Sequence, residues 1–219
     1  MPLALLHTSP VHVPVFDALR DEHHPGLELR HLVEERLLKR AREAGPDAVA
    51  GEVLAAMHRA VAEGARAVLC TCSTIGAVAE AADIGVPVLR VDRPMAAAAV
   101  ATGPRIVVLA ALESTLGPTA ELIEQEAERA GRPADVSTRL VEGAWASFEA
   151  GDTEAYVRRI ATAVDQVTDA DVIVLAQASM APAQHLATTA VPVLSSPRLG
   201  LAAGAHAGDG AAESGYAGQ

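Results

Sequence analysis

Cys72 is the side chain in this sequence best placed to do chemistry. It lies in the run Thr71-Cys72-Ser73-Thr74-Ile75-Gly76, after an apolar segment and before a helical one. A thiol made more acidic by the unpaired N–H groups of a helix start can act as a base or a nucleophile. Three other runs have the same character: His7-Thr8-Ser9-Pro10, Glu113-Ser114-Thr115-Leu116-Gly117 and Gln177-Ala178-Ser179-Met180. Each is short, bears hydroxyls and stands just before a helical pattern. Helix starts leave backbone donors unpaired and Ser and Thr add more, so such loops suit a carboxylate or a phosphate. Thr8, Ser9, Ser73, Thr74, Ser114, Thr115, Ala178 and Ser179 are the candidate binding residues.

Each has a plainer reading beside it. A free cysteine at a strand end is often a small buried hydrophobe, but the polar Ser-Thr turn after Cys72 favours a functional thiol. Cys70 lies inside the apolar run and is expected to be structural. A Cys-x-Cys metal site would need further ligands, and none is near in sequence. Thr8, Ser9, Ser114 and Thr115 could simply cap helices, which is compatible with binding. Glu34 and Glu35 read as a solvated helix start. His7 ends a strand and can approach the site, whereas His23, His24, His31 and His58 read as surface residues. Arg93 and Arg198 read as salt-bridge or subunit-contact residues.

The elements that must hold these loops are legible as apolar runs. Strands are expected near 3–7, 27–32, 67–71, 86–91, 106–111, 134–138, 172–176 and 191–194. Continuous apolar strands alternating with helices predict parallel sheets covered on both faces. Val53, Met57, Ala60 and Val61 make one helical stripe, stopped by Gly64. Asp152 caps a helix with Val157, Ile160, Ala161, Val164 and Val167 inside, and Pro118 opens one ending at Gly131.

The two halves repeat. Val86-Pro87-Val88-Leu89 returns as Val191-Pro192-Val193-Leu194, an offset of 191 − 86 = 105. The same offset lays Ser9 on Ser114, Ala65 on Ala170, Val68 on Ile173 and Arg93 on Arg198, and four strands on four. The expected fold class is α/β: two pseudo-symmetric Rossmann-like or flavodoxin-like halves with parallel sheets and an interdomain cleft. The expected halves are residues 1–103, joined by a C-terminal helix around 198–208, and residues 104–197. They meet near Gly103-Pro104. Gly204–Gln219 is rich in Gly, Ala and Ser and reads as a loose end, with 209–219 a flexible tail.

Composition excludes several function classes. The 219 residues carry a net charge of −11, which disfavours nucleic acid or an anionic membrane as partner. Phe16, Trp145, Phe148, Tyr156 and Tyr216 are the whole aromatic set, too few for a base-stacking platform. The start, Met1–Leu6, lacks a basic leader and reads as a strand, and no apolar run is long enough to span a bilayer. Two cysteines two positions apart fit a reducing compartment, so a cytoplasmic location is expected.

The segments Val68–Gly76 (VLCTCSTIG) and Val172–Met180 (VIVLAQASM), within the duplicated layout, resemble the aspartate/glutamate racemase superfamily. That group includes hydantoin racemases, maleate isomerase and arylmalonate decarboxylase. The resemblance implies cofactor-independent chemistry beside a carboxylate in a cleft between the halves, with no metal and no organic cofactor. It also implies a small carboxylate substrate and a homodimer or higher homo-oligomer. Its racemases use one thiol on each face of the reacting carbon. Here Cys72 matches the first, but 72 + 105 = 177 is Gln177, and an amide can only hydrogen-bond. The resemblance therefore implies Cys72 and Gln177 as the catalytic pair, with a single thiol. An isomerase acting at a carbon alpha to a carboxylate is the first expectation. An arylmalonate-decarboxylase-like decarboxylase or lyase, or a catalytically silent carboxylate-binding protein, is the alternative. One thiol could protonate an enediolate after decarboxylation, or add to a double bond and permit cis–trans rotation. Gln177 would orient the substrate or stabilise an oxyanion beside Ser73, Thr74 and Ser179. Specificity would come from Leu140–Phe148 and the loops.

Overall fold

In the computed structural model, which describes residues 2–213 (side chains to 207), the chain divides into two compact units. One is 1–91 with 197–219, the other 92–196. The first unit runs β1 (Leu3–His7), α1 (His12–His23), β2 (Leu29–Val33), α2 (Glu35–Ala44), α3 (Ala50–Ala62), β3 (Ala67–Cys70), α4 (Ser73–Glu80) and β4 (Val88–Arg90). The second runs α5 (Arg93–Thr102), β5 (Arg105–Ala110), α6 (Leu116–Ala130), β6 (Asp135–Leu140), α7 (Ala144–Glu149), α8 (Thr153–Asp165), β7 (Val172–Leu175) and β8 (Val193–Ser195). A final helix, α9 (Ser196–Glu213), packs with the first unit. It passes through Gly204, where the sequence reads as a loose end; residues 214–219 of the expected tail lie outside the described residues.

Both sheets are parallel and share one order, β2-β1-β3-β4 and β6-β5-β7-β8. All eight expected strands are present, with β1 at its expected bounds and no edge moved by more than two residues. Side chains alternate across each sheet, so each strand feeds two cores. In the first unit Ala4, Leu6, Val68 and Cys70 pack against α2, α3 and α4 through Leu37, Val53, Met57 and Ile75. Leu3, Leu5, Ala67 and Leu69 face Phe16 of α1 and Leu201 of α9. In the second, Val107, Leu109, Ile173 and Leu175 pack with Val157, Ile160 and Val164 of α8. The local signals act as the sequence predicts: Asp152 Oδ1 accepts from the Ala155 N–H at 2.9 Å, and Gly131 ends α6 at φ 62°.

The repeat holds at the level of strands, but not with one offset. Ala67 and Val172 occupy matching register positions, as do Val88 and Val193, giving 105 in each case. Leu3 matches Ile106, so the first strands are related by 106 − 3 = 103. Ser9 therefore corresponds to Leu112, and Thr8 to Ala111; the pairing of Ser9 with Ser114 is corrected by two residues. A second difference concerns α4. Its counterpart Ala178–His185 is a 3-10 helix, because Pro182 has no N–H to continue an α-helical ladder.

The last helix of each half covers the other half's sheet. α5 belongs with the second unit, so that unit begins at Asp92, ahead of the expected joint at Gly103-Pro104. α9 is held to the first unit by close approach. A Cβ on Gly200 would stand 2.5 Å from the Val91 carbonyl oxygen, and one on Gly204 would meet Leu3 Cδ2 at 2.8 Å. Backbone cannot yield as the tip of a leucine can. Gly200→Ala is therefore expected to lose about 1–3 kcal/mol in urea unfolding, and Gly204→Ala distinctly less. A Gly200→Ala protein as stable as the parent would overturn this reading of the α9 contact.

Candidate active site

In each sheet the two central strands send their helices to opposite faces. After β1 the chain turns to α1, on the Leu3–Leu5 face; after β3 it turns to α4, on the Ala4–Leu6 face. Such a point leaves a crevice beyond the strand ends, where open α/β sheets bind ligands. Thr8 and Cys72 sit at this point in the first unit. They are brought together: the hydroxyls of Thr8 and Thr74 and the N–H groups of Thr74 and Ile75, in the first turn of α4, all favour the Cys72 thiolate, while the sulfur makes no capping hydrogen bond to the helix start. Ser73 and Thr74 are buried, and Ser9 is half-buried on the adjoining β1 turn. Cys70 is buried in the core, 1% exposed, with its thiol donating toward the Cys72 carbonyl at 3.7 Å.

The acidity of Cys72 differs from expectation. Burial pushes the thiol above its ordinary value, and the polar groups of Thr8, Ile75 and Thr74 around it pull it only part of the way back. The residue as a whole is half-buried, so some of its surface still meets the crevice. At neutral pH the ligand-free side chain is an S–H, a proton donor rather than a standing thiolate. The helix start was expected to lower this value; desolvation is the larger effect.

Gln177 takes the matching place in the second unit. Its Oε1 accepts from the Ala111 N–H at 2.7 Å and from the Leu112 N–H at 3.1 Å. Two backbone donors fix which end is oxygen, so Nε2 is the end left to donate elsewhere. The correspondence is close: Thr8 reaches Cys72 in one unit, and Ala111, its register partner, is reached by Gln177 in the other. Other sequence candidates in this unit are already engaged. Thr115 donates both its hydroxyl (2.8 Å) and its N–H (3.0 Å) to the Leu112 carbonyl, which is a turn cap. The Ser179 hydroxyl pairs with the Tyr156 hydroxyl at 2.7 Å, and Ala178 is buried. Ser114 Oγ is buried with no hydrogen-bond partner.

The remaining candidates lie apart from this chemistry. Glu34 pairs with Arg59, and Glu35 is exposed on the first turn of α2. Arg93 pairs with Glu126, and Arg198 is exposed. His31 departs from its surface reading: its Nδ1 lies 2.8 Å from His7 Nε2, a long-range contact with no local sequence signal. Among the described residues no cluster of three or more His, Cys, Asp or Glu could hold a metal ion. No described helix is long and apolar enough to cross a membrane.

Duplicated β2-β1-β3-β4 halves, with a thiol at the first switch point and an amide at the second, place the chain among the duplicated parallel α/β folds. The chain belongs to the Asp/Glu/hydantoin racemase family, whose model matches residues 12–204. Among solved structures, an aspartate racemase from Picrophilus torridus is similar over 95% of this chain and 94% of its own, at 12% identity and a TM-score of 0.74. An allantoin racemase from Pseudomonas fluorescens covers 94% of this chain and 90% of its own, at 20% identity and TM-score 0.59. An arylmalonate decarboxylase covers 96% and 93%, at 18% identity and TM-score 0.57. At these identities the likeness is one of fold. No curated protein matches the sequence significantly. Family membership supports, in general terms, racemase- or isomerase-type enzymatic activity without pyridoxal phosphate, at a carbon alpha to a carboxylate.

The acidity of the thiol is directly measurable. Iodoacetamide labelling of Cys72, followed by mass spectrometry as a function of pH, should inflect above the free-cysteine range. Thr8→Val should move the inflection higher still, because the thiolate loses a donor. An inflection below that of free cysteine would contradict the dominance of burial.

Proposed function

We propose that the chain is a cofactor-independent isomerase acting at a carbon alpha to a carboxylate, with Cys72 as its one reacting thiol. The observation that carries the reading is the Cys72 turn, where a thiol meets Thr8 and the first N–H groups of α4. A carboxylate accepted by donors of this kind would lie beside the sulfur. Thr8, Ser9, Ser73 and Thr74 are the proposed binding residues there. Ser114, with its unpartnered hydroxyl, Thr115, Ala178 and Ser179 are those proposed from the second unit. Gln177 is proposed to present Nε2 to a substrate oxygen, stabilising developing negative charge without moving a proton.

A second reading has an observation in its favour. A thiol that keeps its proton at neutral pH carries the proton an enediolate needs, so a decarboxylase fits the raised pKa of Cys72. In that reaction the carboxylate leaves as carbon dioxide, the electron pair stays as an enediolate, and the thiol protonates it. The two readings part on the product: no loss of carbon for the isomerase, carbon dioxide for the decarboxylase.

The test is a panel of small α-substituted carboxylates and dicarboxylates in deuterium oxide, read for chirality, deuterium at the alpha carbon, alkene geometry and carbon dioxide. Cys72→Ala and Cys72→Ser should remove turnover. Gln177→Ala should lower kcat on the order of 10²-fold, as loss of an oxyanion donor typically does. Gln177→Cys should introduce or raise alpha-proton exchange with inversion, by supplying a second thiol. Efficient racemisation that survives Cys72→Ala would sink the single-thiol reading.

A further inference from the structure

Behind the Cys72 turn a hydrogen-bonded chain crosses three adjacent strands. Asp17 Oδ1 on α1 lies 3.3 Å from His31 Nε2 on β2. His31 Nδ1 lies 2.8 Å from His7 Nε2 on β1. His7 Nδ1 lies 2.7 Å from Thr71 Oγ1, directly after β3, and Thr71 Oγ1 donates to the Leu6 carbonyl at 3.1 Å. The His7 and His31 rings are 16° from parallel, with centroids 5.1 Å apart. The chain begins at Asp17, 39% exposed, and ends on wholly buried side chains next to Cys72.

The donors and acceptors along this chain can be assigned. Thr71 has one hydroxyl proton and gives it to Leu6, so its oxygen accepts from His7 Nδ1–H. His7 is held neutral, pushed down to about 3 by burial first and then by His12 and His31. Its Nε2 is therefore a lone pair, which accepts from His31 Nδ1–H. Asp17 can only accept, so its bond requires a proton on His31 Nε2 as well. The pattern is complete with His31 as an imidazolium between a neutral imidazole and a carboxylate. The titratable and charged groups facing it are His12, Asp17 and Arg20 from α1, with His7 and His31 from the sheet. The His12 ring lies 6.0 Å from that of His7 and is pushed down to about 4 by burial. Arg20 also holds Asp17, at 3.3 Å.

We propose that His7, His31 and Asp17 are positioning residues for the thiol. They fix Thr71 and the β1 end, and through these the Thr8–Cys72 pair, and the hold is complete only while His31 carries both ring protons. The inference rests on Cys72 as the reacting group, but its geometry is independent of any substrate. When His31 loses its Nε2 proton, a lone pair faces the Asp17 carboxylate and the chain stops at His31. Phe16, 5.6 Å from the His7 ring, closes the apolar side, and His7 is wholly buried, so bulk solvent does not reach it to replace the lost order.

Two readouts that need no turnover test this on the full chain. Imidazole nitrogen NMR should find His7 as the neutral Nδ1–H tautomer and His31 with two N–H groups at the acid end of its titration. The pH profile of Cys72 labelling by iodoacetamide, separated from Cys70 by fragment-ion mass spectrometry, should show a second, lower limb coinciding with that of His31. His31→Leu should abolish the limb and change the labelling rate several-fold. His31→Asn, whose Nδ2 can still donate to His7, should restore the rate but not the limb. A His7 Nε2–H tautomer, a single-limb parent profile, or a limb that persists in His31→Asn would overturn the proposal; the last remains decisive if His31→Leu fails to fold. Should Cys72→Ala retain turnover while tautomer and limb are as stated, the assigned reaction fails and the relay stands.

Discussion

The divergence of α1 and α4 from neighbouring strands governs the rest of the first unit. β1 and β3 pair in parallel register from Leu3 with Ala67 to Leu6 with Cys70, and the Thr71 N–H continues that pairing onto the Leu6 carbonyl at 3.0 Å. One residue further, the two chains must part, because their helices cover opposite faces of one sheet. Backbone donors at the start of α4 and the side chains of Thr8 and Cys72 are left around the gap. The site is thus a by-product of covering both faces of a four-stranded sheet. Apolar burial holds the strands, while the polar groups lie where the ladder ends.

The second unit meets the same constraint with different atoms. At its gap the two backbone N–H groups of Ala111 and Leu112 are tied by the Gln177 oxygen. An amide serves there as a brace, whereas a thiol in that place would release both N–H groups. Duplication fixed the geometry of the two gaps and left their chemistry free to differ. That asymmetry is what the proposed single-thiol mechanism rests on.

The helices show a different consequence of duplication. α5 and α9 follow the last strand of each half, and each packs with the unit that its own half does not form. For α9 the contact is made by glycine: Gly200 lies against the Val91 backbone and Gly204 against the Leu3 side chain. A larger residue at Gly200 would meet an atom that the strand end cannot move. Alanine- and glycine-rich composition near the C-terminus, which resembles a disordered segment by content, here permits close helix packing.

What the sequence determined by itself was set by local and periodic signals. Apolar runs marked all eight strands, Gly64, Gly131 and Asp152 marked helix ends, and the 105-residue offset placed β3 on β7 and β4 on β8. The replacement of a thiol by Gln177 was legible as a letter, and Pro182, five residues on, foreshadows the 3-10 helix that follows. Tertiary structure decided what depends on neighbours across the sheet. The two-residue slip of β5 moved the counterpart of Thr8 to Ala111, because register is set by pairing and not by chain distance. The bond of His31 to His7, 24 residues apart, joins side chains on adjacent strands and leaves no mark on either segment. The acidity of Cys72 follows from desolvation against the polar groups of Thr8, Thr74 and Ile75, a balance that exists only once Thr8 and the first turn of α4 surround the sulfur.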